Sequence, residues 1–126
     1  MSTIKANTLL HSDGSTTTQP SIPALDQRMA KAWVRLNGTG TVAIYSSYNV
    51  SSITDVAVGN YRANFTNAMS DANYCGLSSS SQYVTWGGNP TGNEVYIVSS
   101  SVLGATHYEN GVLTDTNNIH ILAFAN

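Results

Sequence analysis

From Lys31 to Tyr74 the chain reads as short strands separated by turns, with almost no charge. Ala30, Ala32, Val34 and Leu36 alternate with Lys31, Trp33 and Arg35, and Tyr61, Ala63 and Phe65 alternate with Arg62, Asn64 and Thr66. A period of two puts successive side chains on opposite faces of a pleated strand, so one face of each segment is apolar and must be covered. Between these segments, Val42 and Ile44 share one face and Ala43 and Tyr45 the other. The apolar positions change phase between Ile53 and Val56, which predicts a bulge, and Gly59-Asn60 predicts a two-residue hairpin turn. Trp33 falls on the face of Lys31 and Arg35; a tryptophan among polar neighbours often marks an interface.

The rest of the chain extends the pattern. Tyr74–Leu77, Tyr83–Trp86, Glu94–Val98, Val102–Tyr108, Val112–Thr114 and Ile119–Ala125 read as strands. Ser78–Ser81 reads as a polar loop, and Asn110-Gly111 is the strongest hairpin turn in the sequence. Ile119–Ala125 is apolar on both faces, as in a central strand covered on both sides or a strand at a subunit interface. Eight or nine short strands at regular spacing predict an all-β fold, an antiparallel β-sandwich of jelly-roll-like form, over residues 32–126.

Two upstream segments differ. Residues 1–23 read as an extended N-terminal arm: a rough strand pattern to Leu10, a turn at Ser12-Asp13-Gly14-Ser15, a polar Thr16–Gln19 run, then Pro20 and Pro23. Nothing in it can form a core, so it is either a disordered N-terminus or is ordered by another chain; the spaced Ile4, Leu9 and Leu10 favour docking on a partner. Residues 24–31 read as one short helix, with Pro23 at its start, Asp26 early, and Arg28 and Lys31 late. Leu25 and Met29 share a helical face, which either caps the domain's own core or meets its copies around a symmetry axis.

Composition narrows the function. Charged residues are 10% of the chain against about 25% ordinarily, and serine, threonine and asparagine number 43 of 126. A net charge of −2 offers no footprint for nucleic acid or anionic membrane. No basic-then-apolar leader opens the chain, and no apolar run approaches the roughly 20 residues of a membrane helix. The single cysteine, Cys75, excludes an intrachain disulfide and a cysteine zinc site, and its flanks predict a buried small side chain.

No catalytic motif is present, the acids are scattered singly, and no cofactor or metal is implied; the expectation is a non-enzyme. His107 and Glu109 share a strand face at a spacing that could hold a metal, but no third ligand is near them in sequence. His120 shares a face with Leu122 and Phe124, as a packed core histidine would. What remains is binding. Tyr83 and Trp86 flank the turn-rich loop 87–93, where Asn89 and Asn93 supply amides. Aromatic rings that stack on sugar C–H faces beside amides that bond hydroxyls would hold a glycan; alternatively Tyr83 and Trp86 are ordinary core residues. Tyr45, Tyr48, Tyr96 and Tyr108 carry the same ambiguity.

One resemblance bears on function. Ala30-Lys31-Ala32-Trp33-Val34, Asn37-Gly38-Thr39-Gly40-Thr41-Val42-Ala43-Ile44, Ser47–Asp55, Tyr61, Asn64-Phe65-Thr66 and Ala68–Tyr74 closely resemble a module of tail fibre and related virion proteins of tailed bacteriophages, marine ones among them. The leader Ser2–Thr8 and the run Pro23–Met29 resemble the opening of such fibres, so the likeness spans residues 1–74 in order. Val56–Asn60 departs from the Gly-rich turns often found there. The resemblance implies a homotrimer, an arm attached to other virion proteins, assembly in the bacterial host cytoplasm, and a variable, receptor-facing half beyond Tyr74. Three functions stay open at this point: a short trimeric tail fibre binding a host-surface glycan, a head decoration, cement or adaptor protein, and a sugar-binding domain outside any virion.

Overall fold

A computed structural model describes residues 6–8, 10, 12–14, 28–80 and 92–125, and all structural statements refer to these. Nine strands are present: β1 (Ala32–Asn37), β2 (Ala43–Tyr48), β3 (Val50–Ala57), β4 (Asn60–Phe65), β5 (Cys75–Ser80), β6 (Gly92–Ser99), β7 (Val102–Glu109), β8 (Val112–Leu113) and β9 (Ile119–Phe124). They form two antiparallel sheets, one ordered β2-β1-β9-β5 and the other β3-β4-β7-β6, with β8 paired to β7. The sheets pack as a sandwich. The first strand lies beside the last, and the chain crosses between sheets from β2 to β3, from β4 to β5, from β5 to β6 and from β8 to β9, which gives the fold its jelly-roll-like character.

The alternation read from the sequence sets the two inner faces. Ala32, Val34 and Leu36 of β1 lie opposite Ala123, Ile121 and Ile119 of β9, and all six are buried. Tyr61 and Ala63 of β4 pair with Ala105 and Leu103 of β7, also buried. Removing a Leu, Ile or Val side chain of this kind from water contributes about 1.5–3 kcal/mol. Tyr74 closes one end: its ring meets Phe65 edge-on at 5.9 Å, and its single hydroxyl proton is shared between the Ser99 and Val102 carbonyls, 3.0 and 2.9 Å away.

The chain passes from β2 in one sheet to β3 in the other through a single residue, Asn49, at φ 55°. Asparagine tolerates this left-handed conformation better than most side chains. Its amide also ties the corner down: Nδ2 donates to the Lys31 and Asn67 carbonyls at 3.0 Å each, and Oδ1 accepts from the Asn67 N–H at 2.7 Å. Asn49→Ala is expected to lower stability by about 2–3 kcal/mol, since three hydrogen bonds go and a Cβ residue is left at positive φ. Asn49→Gly should recover the backbone part only; urea unfolding of both variants measures the split.

The other end is closed by Asp115. Its Oδ1 accepts from the Gly59 N–H at 2.7 Å and from the Tyr61 hydroxyl at 2.6 Å. Gly59, at φ 64°, sits so close to the His107 and Thr114 backbones that a Cβ would fall within 2.8 Å of them. There β4 gives way to β8 along β7: Asn60 pairs with Thr106, and Leu113 with Tyr108.

Several expectations need correction. Arg28–Lys31 form a turn and bend, not the end of a helix, and no helix occurs among the described residues; 24–27 lie outside them. The β3–β4 turn is centred on Val58-Gly59, one residue earlier than read, because the bulge at Asp55–Ala57 shifts the register. Ser78–Ser80 are strand, not loop: β5 pairs with β9 as far as Ser80↔Ile119. Cys75 is exposed, because Tyr74 takes the buried position before it and Cys75 falls on the outer side of an edge strand. His120 is half-buried on the outer face rather than in the core, since Ile119 and Ile121 take the inward positions of β9.

Candidate functional site

The two sheets present different outer faces. On the β3-β4-β7-β6 sheet that face is polar and internally bonded. Asn64 Nδ2 donates to Ser52 Oγ and Thr54 Oγ1 at 3.1 and 2.9 Å, and the Tyr96 ring lies over Gly104 with its hydroxyl on Asn60 Oδ1 at 2.6 Å.

The β2-β1-β9-β5 sheet is the reverse. Tyr48, Trp33, Leu122 and Leu77 stand side by side in register, one from each strand, and form an apolar row across the whole sheet. Phe124 and Cys75 form the neighbouring pair. Trp33 is 37% exposed and Leu77 52%. Arg35 is the only Lys, Arg, Asp or Glu in these four strands, and it is occupied by neutral groups: Nε donates to Asn118 Oδ1 at 2.8 Å, and the guanidinium lies 5.0 Å from the centre of the Tyr45 ring.

A sandwich whose two outer faces both met water would be polar on both. Contiguous exposed apolar patches are where proteins tend to meet partners, which makes this row the candidate interaction surface. Trp33 thus stands where its sequence neighbours suggested, on the face of Arg35, and Leu122 and Phe124 explain why β9 is apolar on both sides. Of the other residues proposed for subunit contact, Met29 is exposed just ahead of β1 and Leu25 lies outside the described residues. Leu10 of the proposed anchor is exposed; Ile4 and Leu9 lie outside the described residues.

At the opposite edge a polar clasp joins the sheets. Ser80 Oγ of β5 and Asn93 Oδ1 of β6 both lie 3.1 Å from Nδ1 of the buried His107, and Asn93 Nδ2 donates to Ser80 Oγ at 3.3 Å. The Asn93 amide, proposed as a glycan contact, is engaged here. Tyr83, Trp86 and Asn89, its proposed partners, lie outside the described residues. His107 Nε2 faces Glu109 Oε1 at 3.8 Å, and both atoms are buried without a hydrogen-bond partner among the described residues. No group of three His, Cys, Asp or Glu among the described residues is placed to hold a metal ion.

The clasp could not be read from sequence, since Ser80 sits in a serine run and His107 had shown only its spacing to Glu109. A cleft beside it was also missed. Gly92, Asn93, Glu94, Tyr108 and Gly111 line a space of about 400 Å³. No protein-family model, curated protein or solved structure matches the chain.

Proposed function

We propose that the protein is a non-enzymatic structural component of a tailed-bacteriophage virion: a short homotrimeric tail fibre that carries a host-surface glycan-binding site. The observation that carries this reading is the apolar row Tyr48–Trp33–Leu122–Leu77 on the outer face of one sheet. A second copy of the chain is its occupant. The face has no charge pattern that would select an oppositely charged partner, its one guanidinium is already held by Asn118 and Tyr45, and apolar rows from copies of the chain can pack against one another around a three-fold axis. The trimeric number and the virion setting come from the resemblance of residues 1–74 to phage fibre proteins.

In this reading the N-terminal arm attaches the fibre to other virion proteins, and the nearly uncharged polar surface suits a particle exposed to the medium. Assembly takes place in the bacterial host cytoplasm. Deleting residues 2–19 is expected to leave the β domain folded and to abolish incorporation into particles, measured by blotting purified virions. Incorporation at the full-length level would remove the anchor role. Antibody-labelled electron microscopy then separates the fibre from a head decoration: label at the tail supports the proposal, and label over the capsid overturns it.

A further inference from the structure

We propose that the cleft lined by Gly92, Glu94, Tyr108 and Gly111 is a binding site for a neutral pyranose ring. This rests on the glycan-binding part of the function proposed above and centres the contact on these residues in place of Tyr83, Trp86 and Asn89, with Asn93 common to both sets. The cleft's volume, about 400 Å³, lies within the roughly 300–1,000 Å³ usual for small-molecule sites. It opens on the polar side of the sandwich, away from the Trp33 face, so assembly would leave it accessible.

Its walls follow from the strand registers. Gly92 stands directly opposite Tyr108 across the β6–β7 ladder, and Gly111 follows Asn110 in the β7–β8 turn, at φ 77°. A Cβ at Gly92 or Gly111 would meet nothing within 4 Å. Among the described residues, Tyr108 is therefore flanked by two glycines with no side chain over them, which leaves a flat ring room to approach it. Tyr108 is half-buried, so part of the residue is accessible.

The polar group is Glu94. It is exposed, and its Oε2 lies 3.5 Å from the Tyr108 hydroxyl, too far for a strong bond. Its carboxylate keeps the capacity to accept from two neighbouring hydroxyls. A ring surface for C–H stacking beside an acceptor for paired hydroxyls matches the two surfaces of a pyranose. Among the described residues the lining has no Lys or Arg and one carboxylate, which disfavours sialic and uronic acids.

The test is an amide NMR titration of the full chain. The probes are the methyl glycosides of glucose, galactose and mannose, with glucosamine and glucuronic acid as the cationic and anionic counterparts. Expected are shifts at Gly92, Glu94 and Gly111 with at least one neutral glycoside, at millimolar affinity, and tenfold weaker or absent binding of glucuronic acid. Glu94→Gln should weaken the neutral sugar several-fold. Tyr108→Phe should retain most of the affinity, and Tyr108→Ala should lose at least tenfold. Binding of glucosamine alone would overturn the proposal in favour of a cation site. Shifts confined to residues 83–89 would overturn the cleft and leave a glycan-binding fibre intact. No response to any probe would overturn the cleft together with the glycan part of the proposed function, while the oligomeric state would still report on assembly.

Discussion

On the proposed assembly, Trp33→Glu is expected to yield single chains that remain folded. The side chain points away from the core, so a carboxylate there meets water in a lone subunit and disturbs neither Val34 nor Ala32. In an assembly through this face the same carboxylate would be buried against apolar groups, and the nearest cation, Arg35, is already held by Asn118 and Tyr45. The loss of a tryptophan anchor and the burial of an unpaired charge together cost roughly 3–5 kcal/mol, a weakening of about 10²–10³-fold or more. Leu77→Glu, at the other end of the row, should act in the same direction. Thr54→Glu, on the polar face of the other sheet, should leave the mass unchanged and so separates a specific interface from a general effect of added charge. Unchanged mass in both Trp33→Glu and Leu77→Glu would remove this face from the assembly.

The second large effect concerns the end of the sandwich closed by Asp115. Tyr61 is fully buried, and its hydroxyl donates to the Asp115 carboxylate at 2.6 Å while lying 3.0 Å from the Gly38 carbonyl oxygen. Gly38 itself has no room for a side chain there: a Cβ would run into the Tyr61 ring and the Thr116 carbonyl. In Tyr61→Phe the carboxylate keeps the Gly59 N–H but loses its other donor, and the expected loss near neutral pH is about 1.5–3 kcal/mol.

This contact also has a pH signature. Burial raises the Tyr61 pKa well above its ordinary 10.0, and the Asp115 carboxylate raises it further, through the hydrogen bond and through its charge. A folded-state value above the unfolded one means that the stabilisation is fully present below pH 10 and is lost as pH climbs toward the folded value. Tyr61 alone would contribute a slope of up to about 1.4 kcal/mol per pH unit in that window. Burial raises Tyr74 in the same direction, so Tyr61→Phe should show a shallower alkaline decline rather than none. The stabilities of wild type and variant should converge as pH rises above 10. Parallel curves would mean that Tyr61 does not supply the alkaline limb.

These two predictions differ in how far the sequence foreshadowed them. Trp33 on the face of Arg35, and a last strand apolar on both sides, are consequences of a period of two and are visible in a single strand. The same logic anticipated the sandwich, the bulge in β3 and the Asn110-Gly111 turn. The Tyr61–Asp115 bond joins residues 54 positions apart, and its existence depends on how β4 meets the segment after β8. Periodicity says which face a side chain takes, but not which strand lies beside it. For that reason the Ser80–His107–Asn93 clasp and the Tyr108 cleft were illegible: each draws on strands whose pairing is set by the whole topology. Cys75 and the Ser78–Ser80 run were misread for a related reason. An edge strand that is polar on one side and rich in serine looks like a loop until its partner, β9, is known.

The central claim, that identical chains meet through the outer face of the β2-β1-β9-β5 sheet, is tested most directly by sedimentation equilibrium of the full chain at micromolar concentration, with the Trp33→Glu variant beside it. The account predicts three times the 13.4 kDa chain mass for the wild type and a single chain for the variant. A wild type that sediments as a single chain across that range would contradict it.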